Sequence, residues 1–217
     1  NLSGFGRKCY KENSEKLLES CYSLQKLSLS NFHLSSKLIK STSLQNGKTL
    51  KVLDLSRCTF CMNANNCTYP SLDCMYTVPI EQIVENCTEL KELSFSCTHL
   101  PEETIDFLVS NLTSKIEKLD LCGTGYLRDR HVETLVTRCN KITELNLGGW
   151  TSITKLSILF IIKHLQLTLV KLNFQGTKCS FDLSFLLELS RLKKLKFLCC
   201  DKEEARKTIT RSLMKKL

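Results

Sequence analysis

Thiols and imidazoles are the side chains here best suited to chemistry. The stretch CTFCMNANNCTYPSLDC holds Cys58, Cys61, Cys67 and Cys74, four sulfurs of the kind that zinc gathers in a tetrahedron. Structural zinc sites usually draw on two tight pairs. Only Cys58-x2-Cys61 is tight, while Cys67 and Cys74 have six residues between them and no turn glycine. The reading favours an irregular insertion with incidental thiols over a metal site. The four histidines, His33, His99, His131 and His164, fall at scattered places and read as surface or loop residues rather than bases. No G-x-S-x-G, H-E-x-x-H or phosphate-cradling glycine loop occurs. The expectation is a non-enzyme, with no catalytic residue, no cofactor and no metal.

The elements that would carry any site are set by a repeat. Strings of the form L-x-x-L-x-L occur at Leu24-Leu27-Leu29, Leu50-Leu53-Leu55, Leu90-Leu93-Phe95 and Ile116-Leu119-Leu121. They continue at Ile142-Leu145-Leu147, Leu169-Leu172-Phe174 and Leu192-Leu195-Phe197. Their first positions are separated by 26, 40, 26, 26, 27 and 23 residues, within the range of leucine-rich repeats. Each string reads as a short strand with a period of two. Between strings, apolar residues at helical spacing (Ile80-Ile83-Val84-Cys87, Ile105-Leu108-Val109-Leu112, Val132-Leu135-Val136-Cys139, Ile158-Ile161-Ile162-Leu165) predict an amphipathic helix after each strand. One strand–helix unit cannot bury its apolar face alone, so neighbours must stack. The fold class expected is α/β: a right-handed, curved leucine-rich-repeat solenoid with parallel strands on the concave face and helices on the convex face. It forms one domain over 1–217, with about seven repeats and an insertion near 58–78. Both ends look cut within the repeat array.

Composition sets the surroundings. Of 217 residues 42% are hydrophobic, with only eight Gly and three Pro, enough apolar material for a continuous core. The net charge is +9, and ten Lys/Arg against three acids lie between Arg191 and Leu217. That run reads as a solvated face before it reads as a site for acidic or phosphorylated ligands. Nucleic acid is an unfavoured partner, because no aromatics are interleaved with the lysines. Thirteen cysteines, an odd number and mostly beside leucines, favour a reducing compartment, cytoplasmic and/or nuclear. Sequons at Asn66, Asn86 and Asn111 keep secretion as a minority alternative. No apolar run approaches the ~18 residues of a membrane span, so no membrane partner is expected.

Finer features narrow the repeat class. Cys21, Cys87 and Cys139 each precede the first apolar residue of a strand by three. Cys58, Thr98, Thr124 and Thr177 fill a small-residue slot after the strand, and Ile153-Thr154 opens a helix. C-T-E-L-K-E-L-S-F and C-N-K-I-T-E-L-N-L resemble the cysteine-containing leucine-rich repeats of the F-box/leucine-rich-repeat family. The resemblance implies the substrate-binding part of an SCF-type E3 ubiquitin-ligase receptor, acting in ubiquitin-dependent protein degradation. The alternative is a stand-alone scaffold or inhibitor of the same repeat class. Leu100–Leu112, LPEETIDFLVSNL, starts as many F-boxes do, but the strand string at Ile116 follows on schedule and makes it a repeat helix. With no F-box in this chain, the ligase adaptor and cullin are partners only through a segment outside it.

The concave face is where a protein substrate or peptide is expected. Alternation projects three rows from the strands. The first holds Lys26, Val52, Glu92, Lys118, Glu144, Lys171 and Lys194. The second holds Ser28, Asp54, Ser94, Asp120, Asn146, Asn173 and Lys196. The third is mostly small. Candidate partner-binding residues are Asp54, Glu92, Lys118, Asp120, Glu144, Asn146, Trp150, Lys171, Asn173, Lys194 and Lys196. Acids gather in the middle and lysines toward the end, a gradient that suits a dipolar ligand. Trp150 reads either as an exposed anchor or, more favoured, as a side chain filling the slot of Cys58 and Thr98.

Overall fold

The computed structural model describes residues 18, 20–61, 79–177, 179 and 183–201. Strands are β1 (Lys26–Ser28), β2 (His33–Ser35), β3 (Val52–Asp54), β4 (Thr59–Cys61), β5 (Glu92–Ser94), β6 (Lys118–Asp120), β7 (Glu144–Asn146), β8 (Lys171–Asn173) and β9 (Phe197–Cys199). Helices are α1 (Ser36–Asn46), α2 (Ile80–Asn86), α3 (Glu102–Asn111), α4 (Asp129–Arg138), α5 (Lys155–Leu165) and α6 (Leu183–Leu189). Seven strands form one parallel sheet in the order β1-β3-β5-β6-β7-β8-β9, so consecutive repeats lie side by side and each helix crosses back behind the sheet. The fold is a leucine-rich-repeat solenoid.

The register follows the leucines. Leu27, Leu53, Leu93, Leu119, Leu145 and Leu172 face one another across neighbouring strands and are buried with the helix stripes in a single elongated core. Removing one such side chain, as in Leu119→Ala, costs ~2–5 kcal/mol of cohesion. The LPEETIDFLVSNL stretch is α3, with Ile105, Leu108 and Val109 turned into that core. Two helices lack a clear apolar stripe in the sequence. The buried face of α1 carries Thr42, Ser43 and Asn46 as well as Leu38 and Ile39, and α6 is only seven residues long.

Three sequence expectations need correction. The last strand is not centred on Leu195. Lys171 pairs with Phe197 and Leu172 with Leu198, three residues later than expected. Leu192 is instead buried at the turn after α6, and the string becomes Leu195-Leu198-Cys200, which restores the 26-residue step from Leu169. Lys194 therefore lies in a turn rather than in the first row, and Lys196 is not in the second; Phe197 and Cys199 take those places. The second correction is His131, which is 1% exposed and not a surface residue. The third is an unforeseen small parallel sheet of β2 and β4 beyond the main strands. His33 pairs there with Thr59, its Nδ1 lying 2.8 Å from the Thr59 hydroxyl.

The first six strands of the main sheet, β1, β3 and β5 to β8, end in the same left-handed turn. Asn31, Arg57, Cys97, Gly123, Gly149 and Gly176 stand at equivalent positions with φ between 56° and 86°, and the N–H of the first five bonds the next repeat's carbonyl. Glycine fits that conformation freely, whereas Arg57 and Cys97 are held there against their preference. One position later, Thr98, Thr124 and Thr177 donate their hydroxyls to strand-end carbonyls, and the Cys58 thiol donates to the Leu29 carbonyl at 2.9 Å. No described helix is long and apolar enough to cross a membrane.

Candidate functional site: the concave face

Side chains at the first and last positions of each three-residue strand point away from the core, because the middle leucine points into it. They floor an open groove of about 890 Å3 that runs across the strands from Ser28 to Cys199. Nine of the eleven expected partner-binding residues line it: Asp54, Glu92, Lys118, Asp120, Glu144, Asn146, Lys171, Asn173 and Lys196. Lys194 and Trp150 are not among its lining residues. Lys196 borders the groove from just ahead of β9, outside the row assigned to it.

The first row is an ion-pair zipper. Lys118 Nζ lies 3.0 Å from Glu92 and 3.7 Å from Glu144, and Lys171 lies 3.0 Å from Glu144. The hydrogen bond to Glu92 is the largest cause holding the Lys118 amine above its ordinary pKa. Each such half-exposed pair is worth little in stability, but together they cancel the charge of that lane between Glu92 and Lys171. The alternation Glu92, Lys118, Glu144, Lys171 was visible in the sequence at one repeat per step. Within this row the charges form a balanced ladder, because opposite charges on adjacent strands pair with each other.

The second row is held by neutral donors. Asp54 accepts hydrogen bonds from the Ser28 hydroxyl at 2.8 Å and from the Ser56 N–H and hydroxyl at 3.0 and 2.6 Å. Asp120 accepts from the Cys122 N–H at 2.9 Å and the Asn146 amide at 3.0 Å. Burial pushes the Asp120 carboxyl above its ordinary pKa, and the negative charge of Asp54 adds to that, against the hydrogen bonds that favour the anion. At the far end Phe197 and Leu198 are 59% and 39% exposed, and Lys171 Nζ sits 5.5 Å from the Phe197 ring centroid.

Trp150 fills the slot after its strand. It is partly buried against the core, and its indole N–H donates to the Leu121 carbonyl at 3.0 Å, the work Thr98 does for Leu55. Cys58 is also a core residue. It is 3% exposed, burial pushes its thiol up to about 12, and its Sγ is spent on the Leu29 carbonyl. The Cys67 and Cys74 part of the zinc reading lies outside the described residues, as does the Cys61 side chain. Most of the basic stretch beyond Arg191 is also outside them.

A second polar cluster sits where the helices begin. Glu102, Asp106 and His131 bring three metal-type ligand atoms within 4.8 Å of one another. Arg130 already bridges Glu102 at 2.7 Å and Asp106 at 3.0 Å. The Arg128 N–H donates to His131 Nδ1, which puts the ring proton on Nε2, 2.9 Å from Asp106. Neither ring nitrogen is left to bind a cation, and the cluster reads as a tie between α3 and α4. Sequence reasoning missed it; the signal was a histidine three residues after the N-cap Arg128, where Glu or Gln usually closes a capping box.

No protein-family model matches the chain. Among solved structures it is similar to the yeast complex of Rad7 and Elc1, with a TM-score of 0.55 and 15% identity over 79% of this chain and 42% of that one. It is also similar to an internalin, inlF, from Listeria monocytogenes, with a TM-score of 0.52 and 16% identity over 86% of this chain and 49% of that one. The chain thus spans less than half the length of either match, and both likenesses are of fold: a stack of leucine-rich repeats around a parallel sheet.

Proposed function

We propose that this chain is a protein-recognition domain that holds a protein or peptide partner across its concave sheet, within a receptor that presents substrates to an SCF-type ubiquitin ligase. The observation that carries the recognition half is the groove itself. Seven strands ~4.8 Å apart make a floor roughly 29 Å wide, which an extended peptide crosses in about nine residues. Charged and polar side chains project into it over an apolar floor, and the strand-end positions around it are mostly small, Ser28, Ser94 and Ser96 among them, so a second backbone can approach closely. That Rad7, of similar fold, is found in complex with Elc1 agrees with a binding role. The ligase half rests on the likeness of the cysteine-bearing repeats to those of F-box/leucine-rich-repeat proteins.

The test is affinity purification of the full-length protein from cells, wild type beside Asp120→Lys/Glu144→Lys. Recovery of the ligase adaptor and cullin with both forms, and of other partners with the wild type alone, is the expected result. Capture that survives the double change sinks the concave-face assignment. Absence of adaptor and cullin leaves a scaffold or inhibitor instead of a ligase receptor.

A further inference from the structure

We infer that the segment this groove holds is an extended basic peptide whose Arg or Lys side chains reach Asp54 and Asp120. The inference rests on the reading of the concave face as the recognition surface and names the chemistry it selects. In the first row every carboxylate already has an ammonium within 3.7 Å. In the second row, among the described residues, no Lys, Arg or His forms an ion pair with Asp54 or Asp120. Their donors are serine hydroxyls, an amide and backbone N–H groups. A carboxylate offers about four acceptor positions, so each keeps room for a further donor. Burial first, and the charge of Asp54 after it, hold the Asp120 carboxyl above its ordinary pKa, a shift that a cation placed beside it would reverse.

Geometry suits such an occupant. Asp54 and Asp120 lie on β3 and β6 with β5 between them, two strand spacings or ~10 Å apart. Residues two apart on an extended chain project to the same side ~7 Å apart, and long Arg or Lys arms cover the rest. The planar guanidinium fork matches a carboxylate best. Ser94 lies between the two acids, paired with Asp54 on one side and Asp120 on the other, and its small side chain leaves the path open. Three strands beyond Asp120, Phe197 offers exposed apolar surface for a side chain further along the same peptide. An acidic or phosphorylated ligand fits less well, because Lys118 and Lys171 are already neutralised by Glu92 and Glu144.

The experiment selects binders of the full-length protein from a random library of peptides about twelve residues long, a length that crosses the sheet. Their affinities are measured by fluorescence anisotropy on wild type, Asp54→Asn/Asp120→Asn, Glu92→Gln/Glu144→Gln and the groove-obstructing Ser94→Trp. Selected sequences should carry Arg or Lys two to four residues apart. The Asp pair should cost about tenfold or more in affinity and the Glu pair less than about threefold. The Asp120 carboxyl, followed by NMR, should titrate at lower pH with peptide bound. Selection of acidic or uncharged sequences, an empty selection, or a larger loss from the Glu pair overturns the inference. If Ser94→Trp abolishes binding while the Asp pair leaves it intact, the basic-peptide claim falls and the concave-face reading stands. If Ser94→Trp changes nothing, both fall.

Discussion

Two aspartates of one repeat, Asp120 on β6 and Asp129 on the helix that follows it, show how one side chain serves opposite ends. Asp129, in the first turn of α4, spends its carboxylate on the next repeat. It accepts from the Thr154 N–H at 2.9 Å, the Thr154 hydroxyl at 2.6 Å and the Ser157 N–H and hydroxyl at 3.3 and 2.5 Å. Burial raises its pKa, but these bonds together outweigh it and leave the carboxyl below its ordinary value. Asp120, on the sheet, has fewer donors and, among the described residues, no ion-pair partner, and stays above its ordinary value. On the helical side a carboxylate staples one coil to the next; on the concave side it is held in place with acceptor capacity to spare. Stapling bonds and spare acceptor capacity fall on different faces of the same stack.

The sharpest way to break that contrast is Asp129→Ala. It strands four donors at the start of α5 and should lower the unfolding free energy by about 2 kcal/mol in urea titrations at neutral pH. A loss under about 0.5 kcal/mol would mean the bonds are incidental. The pH dependence has a definite sign. A folded-state pKa below the unfolded value contributes stability that is present above the unfolded carboxylate value of about 4 and lost as pH falls through the folded one. Wild type should therefore lose more stability than Asp129→Ala on acidification below about pH 4.

Trp150→Phe removes one of the two donors to the Leu121 carbonyl, which keeps the Thr124 hydroxyl, and shrinks the ring; it should cost about 1 kcal/mol, read by thermal melting in circular dichroism. Asp120→Asn should change stability by less than about 0.5 kcal/mol at pH 7 or raise it slightly. A raised folded-state pKa means that the charged form opposes folding once pH exceeds it. Stability should thus fall less in the variant than in wild type as pH rises through that value. A large destabilisation would place Asp120 among the staples after all. The smallest effect is expected from Arg57→Gly, which relieves a left-handed φ of 57° and should leave stability equal or up to about 0.5 kcal/mol higher by the same melts.

Much of the architecture was legible because it depends on local periodicity. Six of the seven strands lie where their leucine strings put them, and the helices from Ile80, Ile105, Val132 and Ile158 follow their apolar stripes. The seventh failed for a definable reason. Leu192, Leu195 and Leu198 are each three apart, so two frames satisfy the strand pattern, and only the pairing of Leu198 with Leu172 decides between them. That choice moved Lys194 out of the face and Phe197 into it. Lining residues were readable from alternation, yet their pairing was not. Whether Lys118 answers Glu92 and Glu144 depends on side-chain reach across strands 26 residues apart in the chain. His131 was misjudged because a polar residue in a helix reads as solvent-facing until a neighbouring repeat supplies Asp106 to receive its proton.

The sequence by itself determined the number of coils, their spacing and which side chains turn from the core, since period two in strands and near 3.6 in helices are properties of the backbone. Only the tertiary structure decided which charges are already satisfied, which carboxylate is a staple and which remains open to a partner. Those outcomes depend on groups one repeat away, brought within hydrogen-bonding distance by stacking, and no local pattern encodes a distance between residues 26 apart.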